Sequence, residues 1–129
     1  IEKNGLKETA NRLGKGIIAF SPLAQGLLTN RYLHGIPEDS RIRTDGRFLK
    51  ESTLTEEKLE QIRALNAIAA ARGQTLAEMA LAWILKDGQV TSVLIGASRP
   101  EQILDDLKAL DNTAFTPDEL RAIDAASGF

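Results

Sequence analysis

No cysteine occurs in the 129 residues, which excludes disulfides, thiolate metal sites and cysteine nucleophiles. There is one His and one Tyr, His34 and Tyr32, and no spacing suits a metal ligand set. No Ser-nucleophile motif and no Walker-type loop is present. No apolar run reaches the length of a membrane span, and no signal-peptide pattern opens the chain. A net charge of −2 gives no pull toward nucleic acid or an anionic membrane surface. Without cysteines or a targeting segment, a reducing, cytoplasmic setting is expected. What remains is a composition that is 43% hydrophobic and 26% charged, that of a globular chain able to bury one ordinary core.

The stretch that organises the rest is 16–31. A short apolar run, Ile17 to Phe20, lies between Gly16 and Pro22, which predicts a buried strand over 16–20. Pro22 cannot donate to a sheet ladder, so pairing should stop there. Leu23 to Arg31 follows neither period. A buried strand opening into a loop with Ser, Gln, Gly and Arg is the local signature of an α/β binding site.

Upstream, Leu6 to Leu13 reads as the end of an amphipathic helix with Leu6, Ala10 and Leu13 on its core face and Gly14 as a stop. Residues 30–50 form a long loop that is locally basic, with Arg31, Arg41, Arg43, Arg47 and Lys50 against three acids. It is either a solvated surface loop or an anion-binding lid, since clustered Arg suits phosphate. Thr55 caps the next helix, with Leu54 and Leu59 as a hydrophobic staple and Leu59, Ile62, Leu65 and Ala69 as its stripe. Gly73 ends it. Thr75 and Glu78 form a capping box for a helix carrying Leu76, Met79, Ala80, Trp83 and Ile84 on one face. Leu81 and Leu85 add a second apolar flank, so burial on two sides is expected.

Asp87-Gly88 marks a turn, and 90–95 is the second buried strand. Ser98 and Glu101 have capping-box spacing, Pro100 sits in the first turn, and Ile103, Leu104, Leu107 and Leu110 should face the core. Thr116, Pro117 and Glu119 start the last helix, with Phe115 and Leu120 as staple and Leu120 and Ile123 buried. Strands alternating with helices predict a parallel sheet. Two strands are too few for such a sheet, and Ile1 and Phe129 both look like cut ends, so a fragment of a larger domain is expected. Exposed strand edges in such a fragment leave homo-oligomer formation open.

The strongest chemical feature is Gly96-Ala-Ser-Arg99 at a strand-to-helix junction, where unpaired N–H groups and the helix dipole favour an anion. A simply well-capped helix with a surface Arg accounts for the same residues. Asp105-Asp106, a helical carboxylate pair, reads as a solvated face. On residues alone the chain is a ligand-binding piece without a catalyst.

Two segments together carry a family pattern: Phe20-Ser-Pro-Leu-Ala-Gln-Gly-Leu-Leu-Thr-Asn-Arg-Tyr32 and Val93-Leu-Ile-Gly-Ala-Ser-Arg-Pro-Glu-Gln102. Nearly the whole chain resembles the aldo-keto reductase superfamily, in the branch of glyceraldehyde-3-phosphate reductases and potassium-channel beta subunits. The resemblance implies an α/β fold, the C-terminal portion of a (β/α)8 barrel. In it 16–20 and 90–95 correspond to strands seven and eight, and residues 1–129 belong to one barrel domain carrying the NADP(H)-binding loops. Phosphates in such barrels bind at the loops after these strands. It implies a small aldehyde or ketone as substrate and no nucleic-acid or membrane partner.

By the same resemblance, Phe20, Ser21, Leu23, Ala24 and Gln25 line the nicotinamide and pyrophosphate part of the cofactor. Arg31 stands where the family often has Lys, and Arg41 matches an Arg that helps to hold the cofactor. Gly96, Ser98 and Gln102 match positions around the adenosine phosphate. Asp105 and Asp106 replace a Glu-Asn pair that contacts adenine, and an ionised Asp106 lacks the donor that Asn supplies. The family's Asp, Tyr, Lys and His tetrad has no counterpart here. Tyr32 and His34 fall outside its motifs. The chain alone is therefore expected to be inactive.

Overall fold

The computed structural model describes residues 1–29, 32 and 54–128. In order these form α1 (Leu6–Arg12), β1 (Ile18–Phe20), a 3₁₀ turn (Ala24–Gly26), α2 (Glu56–Ala71), α3 (Leu76–Leu85), β2 (Ser92–Leu94), α4 (Pro100–Leu107), a second 3₁₀ turn (Lys108–Asp111) and α5 (Pro117–Ser127). The architecture is α/β.

Local chemistry sets most boundaries. Thr55 Oγ1 accepts from Lys58 N at 3.2 Å and opens α2, whose first turn carries Glu56 and Glu57 at the positive dipole end. At the other end Gly73 adopts φ +71°, which releases the chain into the next cap. Thr75 Oγ1 accepts from Glu78 N while the Glu78 carboxylate accepts from Thr75 N at 2.9 Å, a reciprocal box that starts α3. Thr116 and Glu119 repeat the device at α5.

The core lies in the helical layer. Ile62, Leu65 and Ala69 of α2, Leu76 and Met79 of α3 and Ile123 of α5 close around Tyr32 and Leu27. A second cluster joins Leu81 and Ala82 to Ala109. Thus α3 is buried on two sides, as its two apolar flanks predict. Arg72 locks this layer: its side chain is 2% exposed and pairs with Glu119 at 2.8 Å. It also donates to Gln74 Oε1 at 3.0 Å and the Ala114 carbonyl at 3.0 Å, and stacks on Phe115. Nothing in the local sequence pattern singles it out.

β1 and β2 pair in parallel, with Ile18, Ala19 and Phe20 opposite Ser92, Val93 and Leu94. Both strands are shorter than 16–20 and 90–95, because the ladder begins only where Thr91 N reaches the Ile17 carbonyl and ends where Ser21 turns at φ +54°. Gly16 approaches Thr91 so closely that a Cβ there would lie 2.9 Å from Oγ1.

Three expectations of burial need correction. The strands are not buried: Val93 packs on the second cluster, while Ile18, Phe20 and Leu94 on the opposite face stand open. α4 buries none of its residues, so Ile103, Leu104 and Leu107, with Leu110 beyond it, face outward. In α1, Leu6 and Leu13 are 49% and 57% exposed, and the buried residue is Lys7 at 2%. Apolar stripes bury only against a facing element, and among the described residues none faces these. Lys7 is taken inside by charge instead. It donates to Glu2 Oε1 at 2.8 Å and to Asp87, tying α1 to the turn after α3.

Candidate functional site

Because the strands are parallel and in register, Phe20 and Leu94 end side by side, and the segments that follow them leave the same end of the sheet. This is where α/β folds place their ligands.

The first segment is strained. Ser21, Ala24 and Gln25 all have positive φ, at 54°, 46° and 60°, followed by Gly26 at 96°. Left-handed backbone in non-glycine residues costs on the order of 1–3 kcal/mol each and persists only where the surroundings enforce it. The enforcement is visible. Ala24 N donates to Ser21 O at 3.1 Å, Gly26 N to Leu23 O at 2.9 Å and Leu28 N to Leu23 O at 3.2 Å. Leu27 and Tyr32 anchor one side of the turn in the main core, and Leu23 packs on the second cluster. Tyr32 is thus a core residue, 1% exposed.

The second segment, Gly96 to Arg99, is exposed and leads into α4. Its cap differs from the expected one. Ser98 and Glu101 do not form the box; Gln102 Oε1 instead accepts from Ser98 N at 2.8 Å, Arg99 N at 3.2 Å and Ser98 Oγ at 3.1 Å. Arg99 is the capping residue and Pro100 the first helical one, so the reciprocal partner lies at 102 rather than 101. A single carbonyl oxygen collects these three donors, so they serve the helix cap, and the exposed Arg99 beside them is the group suited to an anion. Among the described residues nothing lies within 4 Å of a Cβ built on Gly96, so none of them fills the space beside that backbone.

Gln102, Asp105 and Asp106 are three and four residues apart and so lie along one side of α4. Asp105 is neutralised by Lys108 at 2.7 Å. Asp106 is half-buried, and burial, then the Asp105 and Glu78 carboxylates, raises its carboxyl above the ordinary range.

The structure therefore brings Phe20, Ser21, Leu23, Ala24 and Gln25 to the same sheet end as Gly96 and Ser98, with Gln102, Asp105 and Asp106 along the adjoining helix. Arg31 and Arg41, with the rest of the basic loop, lie outside the described residues. Among the described residues no group of three or more His, Cys, Asp or Glu could hold a metal ion, and no helix is long and apolar enough to cross a membrane. A shallow cleft of about 400 Å³ between Arg72, Glu78 and Lys108 lies in the helical layer, away from the strand ends. Of its polar groups, Arg72 and Gln74 bond each other, Glu78 caps Thr75 and Lys108 pairs with Asp105.

Residues 1–127 match the Aldo/keto reductase family. The chain belongs to that family. It is 53% identical over 127 residues to L-glyceraldehyde 3-phosphate reductase of Escherichia coli (strain K12), covering 96% of this chain and 37% of that protein. It is 40% identical over 120 residues to a putative voltage-gated potassium channel subunit beta of Schizosaccharomyces pombe, covering 90% and 35%. The glycerol dehydrogenase AKR11B4 from Gluconobacter oxydans superposes with a TM-score of 0.73 at 26% identity, over 98% of this chain and 38% of that one. The chain thus spans little more than a third of the proteins it matches. The branch of the family that the two sequence segments suggest is the one these relatives occupy.

Proposed function

We propose that this chain is the NADPH-binding C-terminal part of an oxidoreductase that reduces aldehydes or ketones to alcohols, corresponding to about strands seven and eight of a (β/α)8 barrel with their helices. The observation that carries the reading is the common end of β1 and β2, where a strained, internally braced turn meets the capped Gly96–Arg99 segment at the start of α4. Family membership supports the same assignment. The bound cofactor supplies a hydride to the carbonyl carbon. The residues here bind and orient it. Phe20 and Ser21 border the nicotinamide, and Leu23, Ala24 and Gln25 hold the pyrophosphate side. Ser98, Arg99 and Gln102 meet the 2′-phosphate, which favours NADPH over NADH. Asp106 faces adenine, where its carboxylate accepts from the amino group, while Asp105 stays paired with Lys108. Arg31 and Arg41 belong to the same cofactor site by resemblance. A cytoplasmic setting and a small carbonyl substrate complete the proposal.

The chain alone lacks the Asp, Tyr, Lys and His tetrad, so it positions a cofactor without turning over substrate. Titration of the 129-residue chain with NADPH and NADH, followed by nicotinamide fluorescence, should give at least about tenfold tighter binding of NADPH, the effect of roughly 1.4 kcal/mol from the phosphate contacts. Equal affinities contradict the phosphate assignment, and measurable carbonyl reduction by the purified chain contradicts a purely positional role. The likeness to the potassium channel subunit supports a second reading, an NADPH-sensing regulatory protein. Specific retention by a potassium-channel cytoplasmic domain, dependent on NADPH, would favour it.

A further inference from the structure

Among the described residues two glycines follow a side chain able to close a five-membered ring on the next backbone nitrogen. They are Gly5 after Asn4 and Gly88 after Asp87. The fold treats the two pairs in opposite ways. Gly88 N donates to the Leu85 carbonyl at 3.1 Å, which holds its proton and points it away from Asp87. The Asp87 side chain accepts from Gln89 N at 3.0 Å and from Lys7, and an ion-paired carboxylate is a poor electrophile. At Asn4 neither protection exists. The residue is exposed, its side chain is an uncharged carboxamide, and the Gly5 N–H donates to no described residue. Gly5 stands at φ +74°, and a Cβ built on it meets nothing within 4 Å among the described residues, so approach to its nitrogen is unhindered. Asn4 Oδ1 accepts from Leu6 N at 3.1 Å, which keeps the carboxamide folded back along the main chain it would attack.

We propose that Asn4 is a modification site, where spontaneous deamidation unfastens α1. Gly5 N gives its proton to water and bonds to Asn4 Cγ, the Cγ–Nδ2 bond breaks, and ammonia leaves. Water then opens the succinimide. Cleaving the new N–Cγ bond gives aspartate. Cleaving the original peptide bond gives isoaspartate, whose main chain runs through Cβ and Cγ. The consequence comes through Glu2, two residues before the site. Its Oε1 accepts from Lys7 Nζ at 2.8 Å, and its Oε2 lies 3.5 Å from Lys86 Nζ, so one carboxylate fastens α1 to the end of α3. Aspartate at position 4 keeps the main chain and an equivalent cap acceptor, so it leaves this fastening in place. Isoaspartate adds a carbon to the main chain between Glu2 and Lys7 and carries Glu2 away from both lysines. Lys7 is 2% exposed, and a buried cation that loses one of its two carboxylates is strongly destabilised.

The test is to age the folded 129-residue chain at neutral pH beside the same chain in urea, and to map its peptides by mass spectrometry. Asn4 should show the amide-to-acid mass gain at least about tenfold faster than Asn11, Asn66 or Asn112, and no slower folded than in urea. Chains bearing isoaspartate, separated by chromatography, should lose at least about tenfold in amide protection over α1. Fresh Asn4→Asp and aged Asn4→Ser should keep that protection. Equal rates at these asparagines, or a folded rate at Asn4 below that in urea, would overturn the site. Isoaspartate at position 4 with α1 protection intact would overturn the unfastening.

Discussion

The helical layer and the strand layer of this chain were built to different standards of completeness. In α2, α3 and α5 apolar stripes meet in one cluster, the capping boxes of α3 and α5 are reciprocal, and the buried Arg72 side chain serves the Ala114 carbonyl and the Glu119 carboxylate. In β1, β2 and α4 the large apolar side chains other than Val93 are exposed, and the turn after β1 holds three non-glycine residues in left-handed backbone. The first layer is closed and stable for its own sake. The second is open, and it is the one whose loops carry the proposed binding groups. Stability and function are drawn from opposite sides of the molecule.

The largest test of that contrast is a pair of truncations. Leu76→Ala, in the closed layer at 1% exposure, should cost about 3 kcal/mol through lost burial and the cavity left behind. Leu104→Ala, in the open layer, should change stability by less than about 0.5 kcal/mol in the chain alone. Urea denaturation checks both. Similar losses for the two would mean that α4 packs after all. Next in size, Arg72→Ala should destabilise by about 2 kcal/mol, from orphaned carbonyls and lost stacking on Phe115. Arg72→Lys should not restore it, since a point charge cannot serve the same spread of acceptors.

A smaller effect concerns how α1 is held. Burial alone lowers the Lys7 amine, but its hydrogen bonds to Asp87 and Glu2 outweigh that and leave it above 10.5. Its contribution is fully present below the unfolded value and is lost as pH rises through the raised one. Asp87 moves the other way. Burial pushes it up, yet the Lys7 hydrogen bond and the Gln89 N–H bring it below 3.8. Its contribution is present above the unfolded value and is lost as pH falls through the depressed one. Protection of the α1 amides, taken relative to the intrinsic exchange rate at each pH, should therefore be highest between about pH 4 and pH 10 and fall outside that window. In Lys7→Met both limbs should vanish; if they persist, the ion pairs do not hold the helix. The smallest effect falls at the site itself. Asp106→Asn supplies a permanent donor and should tighten NADPH binding a few-fold at neutral pH, with the gap closing as pH falls. A weaker complex at every pH would show that the carboxyl does not face adenine.

Much of the closed layer was legible in the sequence because its signals are local. Thr55, Thr75 and Thr116 each stand three residues before their partner N–H, and the spacing of Ile62, Leu65 and Ala69 states which side is buried. The parallel pairing of the two strands followed from the helices between them. Burial of the open layer was misjudged for a physical reason. Leu104 and Phe20 have the patterning of buried residues, but pattern tells which face seeks a partner, not whether the partner is present. Lys7 and Arg72 were invisible for the opposite reason, since a buried cation is defined by acceptors 80 and 42 residues away. At the site, Ser98 and Glu101 have the spacing of a cap, and only the geometry reveals that Gln102 takes that role. The adjacency of Ser21–Gly26 to Gly96–Arg99 likewise required the strand register, which places Phe20 beside Leu94.

The central claim is that the open layer, at the shared end of β1 and β2, receives NADPH while the closed layer only supports it. Titrating NADPH into the ¹⁵N-labelled chain and following amide shifts tests this most directly. The account predicts the largest shifts at Ser21–Gly26 and Gly96–Arg99, smaller ones along Gln102 to Asp106, and none over α2 and α5. Shifts centred on the Arg72 cleft, or none anywhere, would contradict it.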